Sequence, residues 1–221
     1  MENNSHAVSL LAAVPCFIAC VGDFVVTFTL GAYYPGYNFI YQSQSSLGTA
    51  DSPVAFYMNI WGVVFCLLLV TFAWGLRKSI FSTGKWQTVV VWSIILYGIG
   101  EGAGSGLFPY DHIKNALTFS GELHSFFAAV GGVAIAIIPF ACSKIFSKDL
   151  FPRLNDYCVY AFVGGLVLIT LFLLSKYGFI PYKGLLQRVF ILNYHLFLSV
   201  LAVIMLNEIR VPSMTLTKYI K

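Results

Sequence analysis

"PVAFYMNIWGVVFCLLLVTFAWGLRK", residues 53–78, decides the fold class. From Pro53 to Leu76 no residue is charged, and the run stops on Arg77 and Lys78. A bilayer core about 30 Å thick needs roughly twenty apolar residues in an α-helix, so this stretch has the length and the edge of a membrane span. Five further runs meet the same requirement, at about 8–32, 87–108, 122–143, 158–175 and 187–207. Composition agrees: 58% of the residues are hydrophobic and 10% charged, and the mean hydropathy of +0.80 lies far above that of a soluble domain. In lipid the backbone must satisfy its own hydrogen bonds, and no strand-like alternation is present. The expected fold is therefore all-α, a polytopic bundle of six transmembrane helices. No period of about 20–50 residues repeats, and no linker divides the chain, so residues 1–221 are expected to form one domain.

The basic residues give an orientation. Arg77, Lys78 and Lys85 lie between spans two and three, Lys144, Lys148 and Arg153 between four and five, and Arg210, Lys218 and Lys221 after span six. Lys114, Lys176, Lys183 and Arg188 fall on the other side. Cytoplasmic loops carry the excess of Lys and Arg, so nine against four predicts both termini in the cytoplasm. The net charge of +4 is thereby a topology signal and does not point to nucleic acid. The five cysteines, Cys16, Cys20, Cys66, Cys142 and Cys158, sit in or beside apolar runs without metal or disulfide spacing, and read as small core residues. The start, MENNSHAVS, lacks a positive n-region, and the apolar run after it is long, so it reads as a retained first helix rather than a cleaved signal.

This topology puts residues 34–53, "YPGYNFIYQSQSSLGTADSP", on the outer face. They are too polar to span and unusually aromatic for a plain loop. The intramembrane polar residues gather on the same side. Asp23, Asn59, Glu101, Ser105, Asn193 and His195 lie in the outward halves of their spans, with Asp111, His112, Glu122 and His124 at the outward ends. The inner halves are almost purely apolar. Charged groups in a membrane cost at least ~2.5–3.5 kcal/mol each on insertion scales and are normally turned inward and paired. Several at one depth predict a shared polar cavity capped by the 34–53 loop. Spacing agrees: Glu101 and Ser105 are four apart, as are Ser120 and His124, and Arg188, His195 and Ser199 form one stripe of span six. The glycines at 98, 100, 102, 104 and 106, like the Gly131–Gly132 and Gly164–Gly165 pairs, read as small residues that let helices pack closely.

Such a cavity allows several chemistries. A hydroxyl of Ser43, Ser45, Ser46 or Thr49 could be activated by His124 or His195, with a carboxylate orienting the imidazole. His124 is the expected general base, Asp111 its orienting partner and Ser46 the nucleophile. Alternatively, His112, His124 and His195 could hold a divalent metal that activates water. Neither arrangement has a diagnostic spacing, and no cofactor motif is present. A third reading needs no reaction: a lipid headgroup held by Ser43, Asn59, Glu101, Ser105, Arg188 and Asp23, with Arg188 facing a phosphate and the acids facing an amine. The alternative is a non-enzymatic assembly partner or a small proton-linked transporter, in which the polar cluster is structural. Against transport stand the apolar inner halves and the lack of inverted repeats.

Residues 34–59 also carry a resemblance. Pro35, Gly36, Tyr37, Ser43, Ser46, Leu47, Gly48, Ser52, Pro53 and Asn59, followed by "GLFPYD" (106–111) and "LHSFFAAVGG" (123–132), resemble the first outer loop, second helix and helix-four segment of a bacterial six-helix family known as domain of unknown function 998. The likeness runs in order over most of the chain, although the last two spans match only as hydrophobic helices. A more distant similarity, in the outer-loop block, the helix-two Asn and the helix-four His, is to the eukaryotic DRAM/Sfk-type membrane family, whose relatives remodel the lipid of GPI anchors. The resemblances imply a multi-pass protein of the bacterial inner membrane with membrane lipids as partners.

Overall fold

The computed structural model describes residues 2–79, 84–113 and 116–207, with the backbone alone for residues 2–8 and 79. Six helices are long and apolar enough to cross a bilayer. They are α1 (Glu2–Ala32), α2 (Ala55–Ser79), α3 (Lys85–Leu107), α4 (Phe119–Ile145), α5 (Pro152–Lys176) and α6 (Lys183–Leu206). Each covers an expected span. The largest shifts are at the starts of α1 and α5, each six residues before the apolar run expected there, and α5 has Pro152 in its first turn. A proline there loses no helix hydrogen bond, so polar residues preceding the run are recruited into the helix.

The helices close a circle in chain order. Each packs on its two neighbours, and α6 returns to α1. The outside is apolar, with Leu11, Val21, Leu67, Val133 and Val163 all exposed. Such a surface suits lipid rather than water. Inside, Leu69, Phe72, Ile94, Ile138, Leu198 and Leu201 are fully buried in one continuous apolar core. Chain alternation gathers Arg77, Lys78, Lys85, Lys144, Lys148 and Arg153 at one end of the bundle, where Lys148 and Asp156 pair at 3.1 Å. Lys114, Arg210, Lys218 and Lys221, also used in the orientation, lie outside the described residues.

The helix α3 departs from the expected regular span. Residues Gly98–Gly104, "GIGEGAG", form a π-helical stretch between the α-helical segments Lys85–Tyr97 and Ser105–Leu107. The Ser105 hydroxyl donates to the Gly100 carbonyl five residues back, at 2.9 Å. Wide turns of this kind often mark functional sites. Glycine permits the crowding. A Cβ on Gly102 would lie 2.6 Å from the Gly62 carbonyl oxygen of α2, and one on Gly100 would lie 2.5 Å from the Gly131 nitrogen of α4. The close-packing expectation thus holds for this run, for Gly131 and for Gly165. It does not hold for Gly132 and Gly164, which have open space beside them.

Candidate functional site

Residues 34–53 fold down onto one end of the circle. Residues Gln44–Gly48 form a single 3-10 turn with Ser43 before it, and Leu47 buries fully against Tyr37 and Val54. The anchor is Arg188 of α6. Its Nη1 lies 2.8, 3.1 and 3.0 Å from the carbonyl oxygens of Phe39, Gln42 and Gly184, and its Nη2 donates to the Tyr37 hydroxyl at 2.8 Å. The guanidinium also sits 5.4–5.9 Å from the rings of Phe28, Tyr37 and Phe39. Burial pushes the Tyr37 phenol up, against the pull of the Arg188 guanidinium, so the hydroxyl keeps its proton and donates it to the Ser43 carbonyl at 2.9 Å. A buried cation is costly unless its donors are met. Here three carbonyls, a phenol and aromatic faces meet most of them, although Nε has no partner among the described residues. Arg188, expected to face a ligand phosphate, instead holds the cap.

Beneath the cap lies a cavity of about 70 Å³. Of the expected residues, Asp23, Asn59, Glu101, Ser105 and His124 line it, brought together from α1, α2, α3 and α4. Ser43 and Ser46 do not. Their hydroxyls bond to each other at 3.2 Å, while the intervening Ser45, 2.9 Å from Ser43, reaches the cavity. Gln44 and Gln187 also line the cavity; one lies in the loop and the other at the edge of the sixth apolar run, so neither stood out as a polar group within a span. Gln187 Oε1 accepts from the Gln44 backbone N–H at 2.7 Å, joining cap to α6 beside the cavity. Trp61 and Tyr97, also lining it, read as ordinary apolar-run residues, and only their polar tips could have flagged them.

The polar groups differ in how far they are satisfied. Trp61 donates to the Asp23 carboxylate at 3.2 Å. Glu101 has no hydrogen bond or ion pair among the described residues, and its stem is pressed against Gly131, where a Cβ would lie 2.7 Å from Glu101 Cγ. His124 is 9% exposed. Its Nδ1 faces the carbonyl oxygens of Ser105 and Phe108 at 3.2 and 3.0 Å. These belong to the end of α3, where carbonyls lack helical partners. Carbonyls only accept, so Nδ1 carries the proton and Nε2 is left as an acceptor. Nε2 has no partner among the described residues.

The expected His124–Asp111 pair does not form, because the α3 carbonyls take the Nδ1 position. The Asp111 backbone carbonyl accepts instead from the Thr118 N–H at 3.1 Å, closing the small β1–β2 hairpin (His112–Ile113 with Ala116–Leu117). His195 lies outside the cavity lining. Its Nδ1 faces the Cys20 carbonyl at 3.3 Å, and its Nε2 meets the Tyr97 hydroxyl at 2.9 Å. His112 is exposed, its ring 4.6 Å from that of Tyr110, which in turn lies 5.4 Å from His124. Of the three histidines expected to share a metal, His112 and His124 both pack against Tyr110 while His195 has partners of its own; among the described residues no group of three His, Cys, Asp or Glu side chains is placed to hold an ion.

Comparison with known proteins adds one finding. No curated protein and no solved structure matches the chain. The cap motif, the "GLFPYD" turn and His124 all fall within residues 17–204, which match the family described as Protein of unknown function (DUF998), and the chain belongs to that family.

Proposed function

We propose that this protein binds the polar head of a lipid, or of another amphipathic ligand, in the cavity beneath the 34–53 cap, with the apolar part of the ligand in the bilayer. One observation carries the reading. Glu101 and His124 both line that cavity, and among the described residues neither the Glu101 carboxyl nor His124 Nε2 has a hydrogen-bond partner. Ionisable groups within a span are expensive and serve function by default, and convergent polar groups in an otherwise apolar cavity are the usual mark of a ligand site. The likeness of the cap to the DRAM/Sfk-type lipid-remodelling family supports a lipid over other amphiphiles. By the basic-residue rule the cap faces outward and both termini are cytoplasmic. The family likeness supports a bacterial inner membrane.

A catalytic version of this reading is favoured by the His124 tautomer. An imidazole pinned through Nδ1 with Nε2 open has the form of a general base. It would take a proton from water, or from a hydroxyl such as that of Ser45, in ester hydrolysis or acyl transfer.

The test is to purify wild type and His124→Ala from the same membranes. Lipid that co-purifies is measured by native mass spectrometry, and lipid turnover is followed in liposomes. The expected result is a lipid bound to the wild type and reduced about tenfold in the variant, a difference of about 1.4 kcal/mol. Turnover that disappears in the variant selects the catalytic version. Equal bound lipid and equal turnover overturn the proposal.

A further inference from the structure

We infer that the cavity selects a protonated amine, so that the head it takes carries an ammonium group; this rests on the binding reading above. The argument is a balance of donors and acceptors. Several cavity donors are spent within the protein. The Trp61 N–H goes to Asp23, the Ser105 hydroxyl to Gly100, and Gln44 Nε2 to Thr27 at 3.1 Å. The Tyr97 hydroxyl goes to His195 Nε2, because His195 Nδ1 already carries its proton toward Cys20. Of the acidic and imidazole groups, what is left over accepts: the Glu101 carboxyl oxygens, the remaining lone pairs of Asp23, and His124 Nε2 on a side chain only 9% exposed. No lysine or arginine among the described residues lines the cavity. Arg188, the buried cation closest in the chain to the lining residue Gln187, has turned to the cap.

A cavity with surplus acceptors and negative charge complements a ligand that brings N–H donors and positive charge. Its aromatic lining agrees, since Trp61, Phe65 and Tyr97 are among the residues around it, and aromatic rings attract organic cations. An anionic head would bring charge of the wrong sign to a poorly solvated space lined by two acidic side chains and no basic one among the described residues. The amide N–H groups of Asn59 and Gln187 make no hydrogen bond among the described residues, and can serve a hydroxyl or ester oxygen beside the amine. The volume of about 70 Å³, space for roughly five waters, limits the head to a few heavy atoms.

Two lipids with identical acyl chains test this directly, phosphatidylethanolamine and phosphatidylglycerol, which share the phosphate and differ in the ammonium. Each is titrated against the purified protein in detergent and read by native mass spectrometry. The wild type is expected to prefer the ethanolamine lipid at least about tenfold, as for one charge-assisted hydrogen bond. Glu101→Gln is expected to bring that preference close to parity, by weakening binding of the ethanolamine lipid and easing that of phosphatidylglycerol. Asp23→Asn is the second variant, and a cooperative thermal melt certifies the folding of each. Phosphatidylglycerol bound as tightly or more tightly, or a full preference in both folded variants, overturns the amine inference and leaves lipid binding standing. Binding of neither lipid overturns both.

Discussion

His195 and His124 are held in the same way and left in different states. Each turns Nδ1 to a backbone carbonyl oxygen, that of Cys20 for His195 and those of Ser105 and Phe108 for His124. Each therefore offers Nε2 as an acceptor. At His195 the offer is taken by the Tyr97 hydroxyl, 2.9 Å away. The ring is 2% exposed, with Phe24 and Phe65 packed 5.8 Å from it. It ties α6 to α1, α2 and α3 across the middle of the circle. At His124 the offer stands open, on the wall of a cavity that also holds Glu101. Depth in the span does not separate the two, because the deeper histidine is the saturated one. What separates them is unused hydrogen-bonding capacity: a polar group buried with every valence met is structure, and one buried with a valence open is a candidate for ligand.

Three substitutions test the contrast. The largest effect is expected from His195→Ala, which strands the Tyr97 hydroxyl and opens a void where four helices meet. A loss of about 2–4 kcal/mol should show as a marked fall in the thermal midpoint in detergent. Arg188→Met should cost less, about 2 kcal/mol, since the carbonyls it releases at Phe39 and Gln42 lie in the cap and can reach water. Its signature is local: faster proteolysis and amide exchange over residues 38–44, with the helices still protected. The smallest stability effect belongs to His124→Gln, below about 1 kcal/mol, because only helix-end carbonyls lose a partner. The same variant should lose the bound head group. A His124→Gln protein that unfolds as readily as His195→Ala would erase the distinction between the two sites.

The cap shows how far a sequence reading reaches. That residues 34–53 would fold onto the bundle follows from their aromatic content and from the polar residues collected on that side. Which serine would face inward does not follow. The 3-10 turn rotates Ser45 to the cavity and leaves Ser43 and Ser46 bonded to each other. Arg188 is a similar case. Its place on the stripe with His195 was legible, but its use as a clamp depends on carbonyl oxygens 146 and 149 residues away. The π-helical turn of α3 was foreshadowed only by its glycines, which allow close packing without dictating it.

Six spans, their limits to within a few residues, and the gathering of polar groups toward one end were determined by the sequence alone. Length, hydropathy and charge are local properties, and a bilayer reads them one helix at a time. Which of those polar groups are satisfied and which remain open was decided by tertiary structure. The partners come from distant parts of the chain: Trp61 and Asp23 are 38 residues apart, and Tyr97 and His195 are 98. A hydrogen bond is met only when the packing of whole helices brings donor and acceptor within about 3 Å, and no local pattern encodes that meeting.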